Sequence, residues 1–134
     1  MTPIFKTKKE NKWDNYFIKA SQFLESARDA MIKGNWNSVG LNAVHVAISA
    51  NDAVTVYLKN IRSVSEKHGD AAYLLIDVLD NSIEAKVNAK HLIWLVNRKN
   101  IIEYEARLFY QEEAEEALKH AERFFSWTKT VLPK

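Results

Sequence analysis

Trp36-Asn-Ser-Val-Gly-Leu-Asn-Ala-Val-His-Val-Ala-Ile-Ser-Ala-Asn-Asp-Ala-Val-Thr-Val-Tyr-Leu-Lys-Asn-Ile61 decides how this chain folds. Val39, Ala43, Val46, Ala47, Ala50, Val54, Tyr57 and Leu58 spread over far more of a helical circumference than one narrow stripe. A helix apolar nearly all round is central in its bundle or part of an oligomer interface. Gly34 and Asn35 just before it read as a helix stop and a cap, which predicts a first helix ending at this point.

Helical spacing continues on both sides. Upstream, Trp13, Tyr16, Phe17, Ala20, Leu24, Ala27 and Met31 recur at intervals of three and four. Downstream, a polar connection from Arg62 to Gly69 leads to a short helix carrying Ala72, Leu75, Ile76 and Leu79. Ser82 is the expected cap of a fourth helix with Ala85, Ala89, Leu92 and Val96 inward. A last helix begins near Gln111, with Ala114, Ala117, Leu118, Ala121, Phe124, Phe125 and Val131 along one face. Its acidic run (Glu112, Glu113, Glu115, Glu116) precedes Lys119, Arg123 and Lys129, a solvated face that complements the helix dipole. Three Gly and two Pro in 134 residues, with both Pro near the ends, leave few chain breaks. The expected fold is all-α, one up-and-down bundle of about five helices over residues 12–134, after a flexible basic lead-in at 1–11.

Charge confines the function. The formal total is +2, and residues 1–12 carry Lys6, Lys8, Lys9 and Lys12 against Glu10, or +3, so the rest of the chain is −1. A protein gripping nucleic acid over its whole surface would have a basic body, so any such contact here is local. No cysteine is present, which removes disulfides, thiolate metal sites and a cysteine nucleophile and fits the expected cytoplasmic location. No apolar run reaches the length of a bilayer span, and no signal-peptide segment opens the sequence.

Several polar features stand apart from the packing pattern. Asn35, Ser38, Asn42, His45, Ser49 and Asp52 form one stripe on the otherwise apolar second helix. Such a seam faces water, another polar seam or a site, because unpaired buried polar groups are costly. Arg98, Lys99 and Asn100 close the fourth helix, and a guanidinium fork suits a phosphate. Tyr104 lies six residues past Arg98 and would diverge from it by about 120° in an unbroken helix. The two converge only if the helix ends near Asn100 or a second copy supplies one of them. His45, His68, His91 and His120 lie on or beside four helices, but the paired Glu-x-x-His pattern of di-iron bundles is absent, so no metal and no cofactor are expected. Trp36, Trp94 and Trp127 read as packing side chains. There is no Gly-rich phosphate loop, nucleophile elbow or zincin pattern.

The order of helices, the Ala-rich segment Asn42 to Asp52, the Arg98-to-Tyr104 stretch, and Phe109 followed by Glu112-Glu113-Ala114 together resemble the HEPN superfamily. The closing pattern also looks like that of small stand-alone prokaryotic members, and the resemblance covers most of the chain. It implies a bundle that is commonly dimeric, with a cleft at or near the dimer interface. Members occur with nucleotidyltransferases and in toxin–antitoxin modules. In ribonuclease members an arginine followed four to six residues later by a histidine performs metal-independent RNA cleavage. Here the arginine is Arg98, and the histidine position is held by Tyr104. A phenol with a pKa of about 10 is a poor base at neutral pH, and losing positioned acid–base help removes about 10² to 10⁴ in rate.

The expected function is therefore a homodimer that binds a nucleotide, RNA or a partner protein, a nucleotidyltransferase among them, with little or no catalysis. Arg98, Lys99, Asn100 and Tyr104 are the expected ligand contacts, with Asn42, His45 and Asp52 lining the cleft. The alternatives are an endoribonuclease toxin using Arg98 and Tyr104, and a purely structural helical dimer. No membrane partner is expected.

Overall fold

Gly34 takes a left-handed conformation (φ 73°) and its N–H returns to the carbonyls of Ala30 and Met31, ending helix α1, Trp13–Lys33. The computed structural model describes residues 6–65, 67 and 69–133. Helix α2, Trp36–Lys59, follows at once. Asn35 stands at its N-cap but makes no side-chain cap bond; only its carbonyl accepts, from the Val39 N–H. Asn60, also left-handed (φ 56°), then turns the chain into a three-residue strand.

That strand, β2 (Ile61–Ser63), meets part of the segment read as the lead-in. It pairs antiparallel with β1 (Thr7–Lys9), Thr7 opposite Ser63 and Lys9 opposite Ile61. Glu10 N–H to the Asn60 carbonyl and Val64 N–H to the Lys6 carbonyl close the ribbon at both ends. Three residues are too few to show a hydrophobic period, and their order comes from backbone bonds that composition does not reveal. Residues 1–5 lie outside the described residues.

Helix α3 (Asp70–Val78) and helix α4 (Ile83–Val96) come next. Ser82 caps α4 as expected, its hydroxyl accepting from the Ala85 N–H at 3.1 Å. A six-residue helix, α5 (Lys99–Tyr104), precedes α6 (Gln111–Val131). The all-α bundle is thus as expected in its five main helices, and α5 is added to them. It escaped the periodicity because none of its residues is buried.

Helix α2 packs against each of the other five helices. Val39, Ala43, Val46, Ala47, Ala50 and Val54 are all fully buried, so its broad apolar surface is explained inside one chain. Small side chains permit this close packing on several sides. Gly40 is the tightest point. A Cβ placed there would meet the Phe109 ring at 2.8 Å and the Ile102 side chain at 2.9 Å, so glycine lets α5 and the segment after it close onto α2. Tyr57 departs from the expected core face, being 39% exposed with its ring edge-on to Trp13.

Candidate functional site

A cleft of about 430 Å³ opens where α2, β2, the turn into α3, the end of α4 and α5 meet. Its floor is apolar, from Ile48, Ala72, Leu92 and Val96. Its walls carry three cations, Arg62, Lys67 and Lys99, and one carboxylate, Asp52. Asn100, Tyr104, Ser63 and Ser65 add amide and hydroxyl groups. The Ser65 hydroxyl is already committed to Asp70 at 2.5 Å.

Asp52 is the least ordinary of these groups. It is only 5% exposed, and its Oδ2 accepts a long bond of 3.5 Å from Arg62 Nη1. Burial pushes its carboxyl up to about 7, against the pull of Arg62 and Lys19. Near neutrality the cleft therefore contains a carboxyl that is partly protonated and opposes an anion less than a full charge would. Arg62 has its Nε buried without a hydrogen-bond partner among the described residues.

Of the expected site residues, Asp52, Lys99, Asn100 and Tyr104 line this one cleft. His45 lies two turns before Asp52 on the same helix. Its Nε2 is 3.9 Å from Glu103 Oε1, and Lys99 Nζ is 3.8 Å from Glu103 Oε2. Burial lowers the His45 pKa, so this ring is neutral at pH 7. Asn42 goes elsewhere: its amide donates to the Ser38 carbonyl at 2.8 Å, on the surface of its own helix.

Arg98 is also apart from the cleft. The helix does end beside it, at Val96, yet the guanidinium turns towards α6 and does not converge on Tyr104. It stacks 3.6 Å from the Trp94 ring centre and donates to the Trp94 carbonyl at 2.9 Å. Trp94 in turn stacks on His120 at 4.4 Å, and His120 Nδ1 lies 2.8 Å from His91 Nδ1. One imidazole must donate and the other accept in that contact. Tyr104, by contrast, is 76% exposed on the other side of the break. The physical cause is the i to i+4 spacing of Trp94 and Arg98, which brings cation and ring together on one helical face.

Sequence reasoning missed Arg62, Lys67, Ser63 and Ser65. The polar run from Arg62 to Gly69 was the available signal, but only the ribbon and the turn bring it over α2. His68 lies outside the described residues. Among the described residues no three His, Asp or Glu side chains converge as a metal site requires, and no helix is long and apolar enough to cross a membrane.

A family model of the HEPN domain matches residues 14–131. The chain belongs to the HEPN family. No curated protein matches it significantly. HEPN domains commonly dimerise, and their functions are often ribonucleolytic or nucleotide-related. In this HEPN domain the residue six past the arginine is a tyrosine. The structure gives that tyrosine a lysine and an asparagine as neighbours in the cleft, while the arginine packs on tryptophan.

Proposed function

We propose that this HEPN domain is a binding module that holds the phosphate of a nucleotide or RNA in the Asp52–Tyr104 cleft, with little or no catalysis. The observation that carries this reading is the convergence of Arg62, Lys67 and Lys99 on a concavity whose one carboxylate among the described residues is partly protonated near neutrality. Lys99 and Lys67 supply point charges to the phosphate, and Arg62 the fork of a guanidinium whose buried Nε has no partner among the described residues. Asn100 and the Tyr104 hydroxyl orient it. The position of the family's histidine holds a phenol, and His45 lies 3.9 Å from Glu103, outside the cleft lining.

The module acts as a homodimer. Leu108 and Tyr110 hold large apolar surfaces outward at 68 and 64% exposure, along the segment that joins the cleft to α6. Such a row supports burial against a second copy. A second copy is also what the ribonuclease reading needs, because the chain's own Arg98 packs on Trp94 and does not reach Tyr104. A nucleotidyltransferase or an antitoxin is the class of protein partner the family suggests.

Incubation of single-stranded RNA with the protein in EDTA, beside calorimetric titration of a mononucleotide, tests the proposal. Intact RNA with saturable binding is expected. Cleavage that is lost in both Arg98→Ala and Tyr104→Phe would establish the nuclease instead. Absence of any nucleotide or RNA binding would leave only a structural dimer.

A further inference from the structure

The cleft does not end at its rim. A second concavity, of about 490 Å³, is lined by Lys9, Glu10, Asn11, Lys59, Asn60 and Ile61. Ser63 lines the first hollow and Ile61 the second, two residues apart on β2, or about 6.6 Å at strand spacing. Among the described residues the two hollows present five cations, Lys9, Lys59, Arg62, Lys67 and Lys99, against Glu10 and Asp52 in their lining and Glu103 beside Lys99. In a chain whose residues beyond position 12 sum to −1, this concentration is strongly one-sided. Its arrangement has a cost as well. Lys8 sits directly opposite Arg62 in the ribbon, and like charges facing across strands repel. Lys8 Nζ lies a loose 3.9 Å from Glu10 Oε1.

We infer that the β1–β2 ribbon continues the phosphate cleft into a track for a single-stranded nucleic acid, with Lys9 and Lys59 taking a phosphate beyond the one held by Lys67 and Lys99. This rests on the phosphate reading of the cleft and extends it from a single phosphate to a chain of them. A mononucleotide fills one hollow and leaves the ribbon cations unused, whereas a polyanion occupies both. Nucleic acid fits better than an acidic peptide because Tyr104, exposed on the cleft wall, offers a ring on which a base of any identity stacks.

The test uses a fluorescein-labelled oligouridylate of about 12 nucleotides, with UMP as the single-unit probe and the full chain as protein. Lys9 and Lys59 are exposed, so Lys9→Gln/Lys59→Gln leaves the fold intact, which circular dichroism checks. Each phosphate contact with a single strand contributes about 0.7 to the slope of log affinity against log salt. Removing the one phosphate contact that Lys9 and Lys59 share lowers the slope by about 0.7 and weakens the oligonucleotide about fivefold at 0.1 M salt. UMP affinity stays within about twofold, since the cleft is untouched. Unchanged oligonucleotide affinity and slope with UMP still bound overturns the track and spares the cleft. A glutamate-rich peptide of equal length binding as tightly as the RNA overturns the nucleic-acid assignment. If the wild-type chain binds neither UMP nor RNA, the cleft reading falls and takes the track with it.

Discussion

Asp52→Asn separates desolvation from ion pairing at the centre of the cleft. Asp52 is 5% exposed and has one long bond to Arg62 at 3.5 Å, so its burial outweighs its partner and its carboxyl titrates near 7 in place of 3.8. A carboxyl whose folded pKa exceeds its unfolded one keeps a proton that the unfolded chain has lost. Stability therefore falls as pH rises from about 4 to 7 and is level above that. The full span, from 3.8 to about 7, corresponds to about 4 kcal/mol. Asparagine is close in shape to the protonated acid and never ionises, so at pH 4.5 the variant and wild type are alike except for a constant change at Arg62. Between pH 4.5 and 8 the difference grows in favour of the variant by about 3 kcal/mol. Urea denaturation followed by circular dichroism at the two pH values reads this directly. A difference that does not change with pH, or a variant weaker than wild type at pH 8 alone, would overturn this assignment. Asp52 would then be ionised throughout, held in that state by the Arg62 guanidinium more strongly than burial opposes it.

Three other substitutions or titrations probe different parts of the molecule. Gly40→Ala forces a methyl against Phe109 and Ile102 and should cost about 1–3 kcal/mol, despite the better helix propensity of alanine; a gain of about 1 kcal/mol in a urea melt would show that α5 moves aside freely. His91 and His120 have pKa values lowered by burial and, for His120, by its neighbour His91. Their stabilisation is present above about pH 6.5 and is lost as pH falls below it, because the unfolded chain then binds protons that the pair resists. Nitrogen-15 NMR should find both rings titrating below the ordinary imidazole range, and ordinary titration of each would contradict the burial of the pair. Trp94→Ala removes the ring between Arg98 and His120 and should destabilise the chain by about 3–5 kcal/mol, while a loss under 1 kcal/mol in the same assay would show the stack to be a loose surface contact.

The bundle was legible because its helices bury recurrent side chains. Val39, Ala43 and Ala50 on α2 and Ala114, Ala121 and Phe124 on α6 carry the period and lie in the core. Helix α5 and the ribbon carry no such signal: the first buries nothing fully, and the second is three residues on each side. Half of the site shared that difficulty. Asp52 stood out as a polar residue on an apolar helix, and Lys99, Asn100 and Tyr104 as a polar cluster after one. Arg62 and Lys67 come from β2 and the turn beyond it, and nothing local says that this stretch folds back over α2. Arg98 had a readable partner in Trp94 four residues earlier, a pairing masked by the attraction of matching Arg98 to Tyr104.

The proposed function stands or falls on phosphate being held by the lysines of the cleft and not on the Arg98 side of the helix break. Calorimetric titration of UMP into wild type, Lys67→Gln/Lys99→Gln and Arg98→Gln tests it in one series. Affinity should fall by at least about tenfold for the lysine pair, with Arg98→Gln within about threefold of wild type. The reverse pattern, an unaffected lysine variant and an Arg98→Gln that no longer binds, would contradict it.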